Sequence, residues 1–396
     1  MARVLFINGG AEGHINPTIG VVQELISRGE EVVYFTIEAF RDRIEKTGAT
    51  VRTFDEGKFI KAFISGGRNY LLERINGLLR TADIMIPSVL GQIEGEHFDY
   101  MIYDSMFGCG YLLAQILKLP AIRSCTSFAH TKVTFDHMLE QLSKNIPTEI
   151  YDEFKSLTAA VEKKYGVKVH SPYDIFYNPA PLTIVYTTKE FQPFSRAFDE
   201  SYKFVGPSIS SRFTKEPFDL TAIKEKRPIY ISLGTVFNQA IDFYKLCIKA
   251  FRNTDHTVVM SIGNKAQLSD LGDIPDNFIV KNYVPQTEVL KSAKLFITHG
   301  GMNSVNEALY YGVPLIVIPQ NADQPMIANQ VAHIGAGIQL QMQSLTANQL
   351  HEAAVNVLHD TSVHKAVANI RESFQKSGGY RQAVDEIFEF KRQYNI

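Results

Sequence analysis

Tryptophan is absent from the 396 residues, and only three cysteines are present. Cys109, Cys125 and Cys247 are scattered and odd in number, so neither a disulfide framework nor a cysteine metal site is expected, and a reduced, cytoplasmic compartment fits. No stretch approaches the roughly 20 apolar residues of a membrane span. The opening run Met1–Asn8 is too short for a signal-peptide core and passes straight into glycines; it reads as a strand. A formal net charge of −2, without any basic run, leaves no footprint for nucleic acid or an anionic membrane. D-x-D, C-x-x-C and H-E-x-x-H are missing, so no metal is expected, and no G-x-S-x-G nucleophile turn occurs.

What is present is an alternation. A chain of 396 residues is too long for one ordinary core, and two domains are expected. Short apolar strands at 4–8, 31–36, 50–54, 101–103, 121–124 and 183–187 are separated by helical patterns, which predicts a parallel sheet built of βαβ units. Asn16 and Pro17 look like the N-cap and first residue of the first helix, and Gly29 its end. A helical, mixed-charge stretch from about 130 to 181 interrupts the alternation. After a Gly-, Pro- and Ser-rich passage the pattern restarts with strands at 229–233, 257–261, 278–281, 295–298 and 315–318. The expected organisation is an N-terminal Rossmann-like domain over 1–205, a linker over 206–227, a second such domain over 228–376 and an amphipathic terminal helix over 377–396.

In open α/β sheets ligands bind beyond the carboxyl ends of the strands, and the polar motifs fall there. Gly9-Gly-Ala-Glu-Gly13-His14 follows the first strand. It is not G-x-G-x-x-G, and no acidic residue ends the second strand at Thr36, so a dinucleotide fingerprint fails. His14 lies near a helix N-terminus, which disfavours its protonation and leaves a proton acceptor near neutral pH. Asp104 closes the strand at 101–103. It reads either as the cap of the next helix or as a carboxylate that orients His14. In the second half, His299-Gly-Gly301-Met-Asn303 sits between strand and helix, where backbone N–H groups and the helix dipole suit a phosphate. Ser304-Val-Asn-Glu307 matches a capping box. With Ser232-Leu-Gly234-Thr235, Tyr283-Val284-Pro-Gln286 and Asp323-Gln324, the set suggests a nucleotide carrying a sugar. Tyr283 reads as a packed side chain or as a ring for a base.

Order and spacing of these motifs resemble the family 1 UDP-dependent glycosyltransferases, most closely the bacterial macrolide and flavonoid group, over essentially the whole chain. The resemblance implies the GT-B fold, two doubly wound domains facing across a cleft. It implies His14 as general base oriented by Asp104. Ser232, Gly234, Thr235, His299, Gly301, Asn303 and Ser304 would lie near the donor phosphates. Glu307 would hold the ribose, Asp323 and Gln324 the sugar, and Tyr283 would stack on the base, where plant members place tryptophan; Val284 and Gln286 would also belong to the donor site. The donor would be a UDP-sugar, with glucose expected, and no cofactor. The terminal helix would return to the first domain. Phe59, Phe63, Phe107, Phe128 and Phe135 are candidates for a hydrophobic acceptor pocket, each also readable as core. Three other readings stay open at this point: a UDP-sugar 2-epimerase-like enzyme, a non-catalytic nucleotide-sugar-binding subunit, and, on a failed fingerprint, a dehydrogenase.

Overall fold

Strands buried on both faces need almost unbroken apolar runs, and that is what the first sheet contains. In the computed structural model, β1 (Arg3–Ile7), β2 (Glu31–Thr36), β3 (Thr50–Thr53), β4 (Tyr100–Asp104), β5 (Ala121–Cys125), β6 (Leu182–Val185) and β7 (Tyr202–Phe204) form one sheet in the order β3-β2-β1-β4-β5-β6-β7. Every pairing in it is parallel. The structure describes the chain apart from residues 68, 108, 143–144, 211–217 and 235–239. Thr235 and part of the expected linker therefore lie outside the described residues.

The second sheet joins β8 (Ile229–Ser232), β9 (Val258–Ser261), β10 (Phe278–Lys281), β11 (Leu295–Thr298), β12 (Leu315–Val317) and β13 (Gly337–Gln339). Their order is β10-β9-β8-β11-β12-β13, again wholly parallel. In each sheet the strand order reverses once, between β1 and β4 in the first and between β8 and β11 in the second. Those reversals are where neighbouring crossover connections diverge and a crevice opens at the carboxyl ends.

The chain divides into two compact units. The first holds Met1–Tyr186, Phe194–Ser210 and Gly378–Ile396; the second holds Thr187–Pro193 and Ser211–Ser377. Residues 187–193, placed by the sequence in the first domain, thus belong with the second. Within that unit the Thr187 hydroxyl donates to Asn306 Oδ1 at 3.3 Å, Ser373 Oγ donates to Glu190 Oε2 at 2.8 Å and lies 3.0 Å from Thr188 Oγ1, and Phe191 meets Phe374 edge-on at 5.9 Å.

The terminal helix Tyr380–Tyr394 lies in the first unit, with Ala383, Val384 and Ile387 buried against it. Its Lys391 Nζ donates to Glu30 Oε1 at 2.6 Å, and the Tyr100 hydroxyl donates to the other carboxylate oxygen at 3.0 Å. Glu30 and Lys391 are 5% and 7% exposed, so this pair is shielded from water.

Two helix starts differ from the sequence reading. The first helix begins at Glu12 with Ala11 as cap, which leaves Pro17 inside it and Asn16 uninvolved in capping. The Met302–Tyr311 helix is capped by Gly301, so Ser304 and Glu307 lie within it and form no capping box. Its other end does follow expectation, since Gly312 adopts a left-handed conformation at φ 78°. Among the described residues no helix is long and apolar enough to cross a membrane.

Candidate active site

Two groups of polar side chains occupy the two strand-order reversals. In the first unit the turn after β1 carries His14 into the opening turn of its helix, where Asn8 Nδ2 donates to the His14 carbonyl at 3.1 Å and Asn8 Oδ1 accepts from the Gly10 N–H. The last residue of β4 is Asp104, only 2% exposed. Its Oδ2 stands 2.7 Å from His14 Nδ1, while Oδ1 accepts from the Met106 N–H at 2.8 Å. A carboxylate at Nδ1 requires the hydrogen there, so Nε2 keeps the lone pair. The helix cap reading of Asp104 is excluded, because the next helix, Gly110–Leu117, starts from Cys109.

Sequence reasoning missed a third partner. Thr126, one residue beyond β5, places Oγ1 3.0 Å from the same His14 nitrogen. The only available signal was a polar residue at the carboxyl end of a strand.

In the second unit the register pairs Thr298 with Ser232, which brings the turns after β11 and β8 side by side. His299 lies between glycines. A Cβ on Gly234 would come within 2.6 Å of its ring, and one on Gly301 within 2.6 Å of Nε2. These glycines therefore make room for the imidazole. Burial lowers the His299 pKa to about 4, against a weaker opposing hydrogen bond with the Ser232 backbone, so the ring is neutral near pH 7. Gly301 offers no side chain to the first N–H groups of the helix it caps, which also begins with Met302, Asn303 and Ser304.

Gln286 ties this helix to the segment after β10. Its amide nitrogen donates to Glu307 Oε2 at 2.8 Å and Ser304 Oγ at 3.3 Å, and its oxygen accepts from the Tyr230 hydroxyl at 3.3 Å. Glu307 is 2% exposed. Val284 is buried beside Tyr283, which is 48% exposed and therefore not a packed core ring. Past β12, Gln324 Oε1 accepts from the backbone N–H groups of Gln320 and Asn321 at 2.8 and 3.1 Å; Asp323 adjoins it, half-buried.

Residues 245–380 match the model described as "Erythromycin biosynthesis protein CIII-like, C-terminal domain". The chain is 36% identical over 397 residues to the NDP-glycosyltransferase YjiC of Bacillus subtilis (strain 168), covering 99% of this chain and 98% of that protein. It belongs to the family 1 glycosyltransferases, in the bacterial macrolide group. The same strain's uncharacterized UDP-glucosyltransferase YojK is 35% identical, over 99% and 98% of the two chains. Among solved structures, the calicheamicin glycosyltransferase CalG4 superimposes with a TM-score of 0.85 at 28% identity, covering 99% and 98%. The fold of this glycosyltransferase is accordingly GT-B, and its chemistry is the transfer of a sugar from a nucleotide sugar.

The acceptor candidates are placed unevenly. Phe59 and Phe63 are partly buried and stack at 6.4 Å, and Phe59 also stacks on Phe107 at 5.8 Å. Phe107 and Phe128 are 1% exposed. Phe135 has no exposed surface and packs among Tyr173, Phe176 and Tyr177. Of the two readings the sequence left for these rings, pocket wall or core, such burial is what core gives. Among the described residues no cluster of His, Cys, Asp or Glu is arranged to hold a metal.

Proposed function

We propose that this glycosyltransferase carries out an inverting, metal-independent transfer of a hexose, glucose from UDP-glucose, to a hydroxyl of a small hydrophobic acceptor such as a flavonoid, another phenol or a macrolide. The observation that carries the reading is the 2.7 Å pair of His14 Nδ1 and Asp104 Oδ2 at the strand-order reversal of the first sheet. Nε2 removes the acceptor hydroxyl proton as the oxygen attacks the anomeric carbon from the face opposite the diphosphate. Asp104 holds the ring's tautomer and balances the imidazolium that forms. The transition state has oxocarbenium character, and the charge developing on the departing diphosphate is met by the N-terminus of the Met302–Tyr311 helix and by the N–H of neutral His299.

In the same reading Ser232, Gly234, Asn303 and Ser304 lie along the phosphates and Glu307 binds the ribose. Asp323 and Gln324 bind sugar hydroxyls, Tyr283 meets the base, and Val284 and Gln286 complete the donor site. UDP as the donor nucleotide is supported by the name of the YojK relative. The three cysteines are free and buried, which agrees with a cytoplasmic location.

The test is mass spectrometry of products from phenol and macrolide panels incubated with UDP-glucose in the presence of a chelator. A glucoside of inverted anomeric configuration is expected. His14→Ala is expected to lose about 10²–10⁴-fold in kcat on an unactivated phenol. UDP release without any acceptor would overturn the transfer reading in favour of an epimerase-like one.

A further inference from the structure

We propose that Thr126 is a positioning residue of the transfer reaction, bracketing Nδ1 of His14 together with Asp104 so that Nε2 is presented as the base. The proposal rests on the reading of His14 as that base. Strands β4 and β5 are neighbours, with Asp104 paired to Ser124. The chain runs two residues further to Thr126, which brings a hydroxyl to the side of the carboxylate. Asp104 Oδ2 and Thr126 Oγ1 lie 2.7 and 3.0 Å from one nitrogen, so a single N–H is shared between two acceptors.

A ring held by one carboxylate oxygen can pivot about that contact, whereas a second oxygen off the axis removes the freedom. Thr126 is suited to such a hold, because it is only 5% exposed and β-branching stiffens its χ1. The hydroxyl oxygen also stabilises the imidazolium formed when Nε2 takes a proton, which raises the proton affinity of the base. The titratable groups around the pair leave this effect visible. Burial raises the pKa values of Tyr34, Tyr186 and Cys125, which all stay neutral through the working range. Glu12, on the same helix as His14, is paired with Arg43 at 2.6 Å.

The experiment compares Thr126→Val, which keeps the shape and removes the hydroxyl, with Thr126→Ser, which keeps the hydroxyl. Profiles of kcat/KM against pH and separate donor and acceptor KM values are measured for each. Thr126→Val is expected to lower kcat about tenfold, as for loss of a hydrogen bond to a charged group. The acid limb of its profile should move to lower pH with both KM values little changed, and serine should restore both. If valine prevents folding, Thr126→Ala carries the same comparison. An unmoved profile with unchanged kcat overturns the proposal, as does a loss confined to donor KM, which would assign the hydroxyl to the sugar. His14→Ala run alongside separates the failures: if it retains turnover the base reading falls, and if it alone is inactive only the role of Thr126 falls.

Discussion

At the scale of single residues, the roles depend on what side chains far apart in the chain do to one another, 90 positions for His14 and Asp104 and 112 for His14 and Thr126. His14 and Asp104 were each legible as polar residues at strand ends, but their 2.7 Å approach is a product of β1 lying beside β4. Thr126 carried no signal of its own, because a lone threonine after a strand is ordinary. The glycines after β11 read as room for a phosphate; in the structure a Cβ on Gly301 would also meet the His299 ring, while one on Gly300 would meet Val317. Gly301 tests that reading cleanly. Its φ of −63° is open to alanine, so Gly301→Ala strains no backbone and acts only by displacing the imidazole. A shift of roughly 1 Å in such a group is expected to cost about 10²-fold in kcat/KM for the donor, with the fold unchanged by circular dichroism. Histidine burial also sets a pH dependence. His299 and His130 are both lowered to about 4, His130 by burial and by Arg123. Unfolded, each takes a proton near pH 6.5, so below that the unfolded chain binds more protons and stability falls progressively down to about pH 4. Urea midpoints are expected to drop between pH 7 and pH 5, and His299→Gln should flatten that slope for the second unit.

At the scale of elements, most strands were legible, because burial on both faces forces apolar runs whose limits differ from the observed ones by a residue or two, whereas the short, half-buried β7 and β13 carry no such run and were missed. Helix starts were less so. Pro17 suggested a first helical position, but the helix opens a turn and more earlier at Glu12. The serine and glutamate at 304 and 307 matched a cap by pattern, yet a glycine in extended conformation took that position and left Glu307 to accept from Gln286. The terminal helix offers the sharpest energetic test. Lys391→Met would leave the Glu30 carboxylate enclosed with only Tyr100 beside it, and is expected to destabilise the first unit by about 3–5 kcal/mol. Lys391→Met combined with Glu30→Leu should recover most of the loss, since an apolar pair of similar volume avoids the unpaired charge. Denaturant unfolding of the three variants makes the comparison.

At the scale of the whole molecule, two similar sheets were visible in the sequence as an alternation that stops and restarts, but the assignment of short segments was not. Residues 187–193 follow directly on a strand, and only their contacts with Asn306, Ser373 and Phe374 reveal where they belong. Deleting residues 378–396 is expected to speed hydrogen exchange in β1–β7 and leave β8–β13 unaltered, because the helix they form is part of the first unit. Equal acceleration in both sheets would contradict the assignment. The path of the chain, which passes between the units four times, has a practical consequence for anyone recombining such enzymes. A chimera spliced once, between two halves of the gene, would inherit its second unit without the 187–193 strap and give its first unit a foreign terminal helix. Hybrids joined at all four passages, near 186, 193, 210 and 377, keep each donor parent's core whole and should express as soluble protein where single-splice hybrids do not.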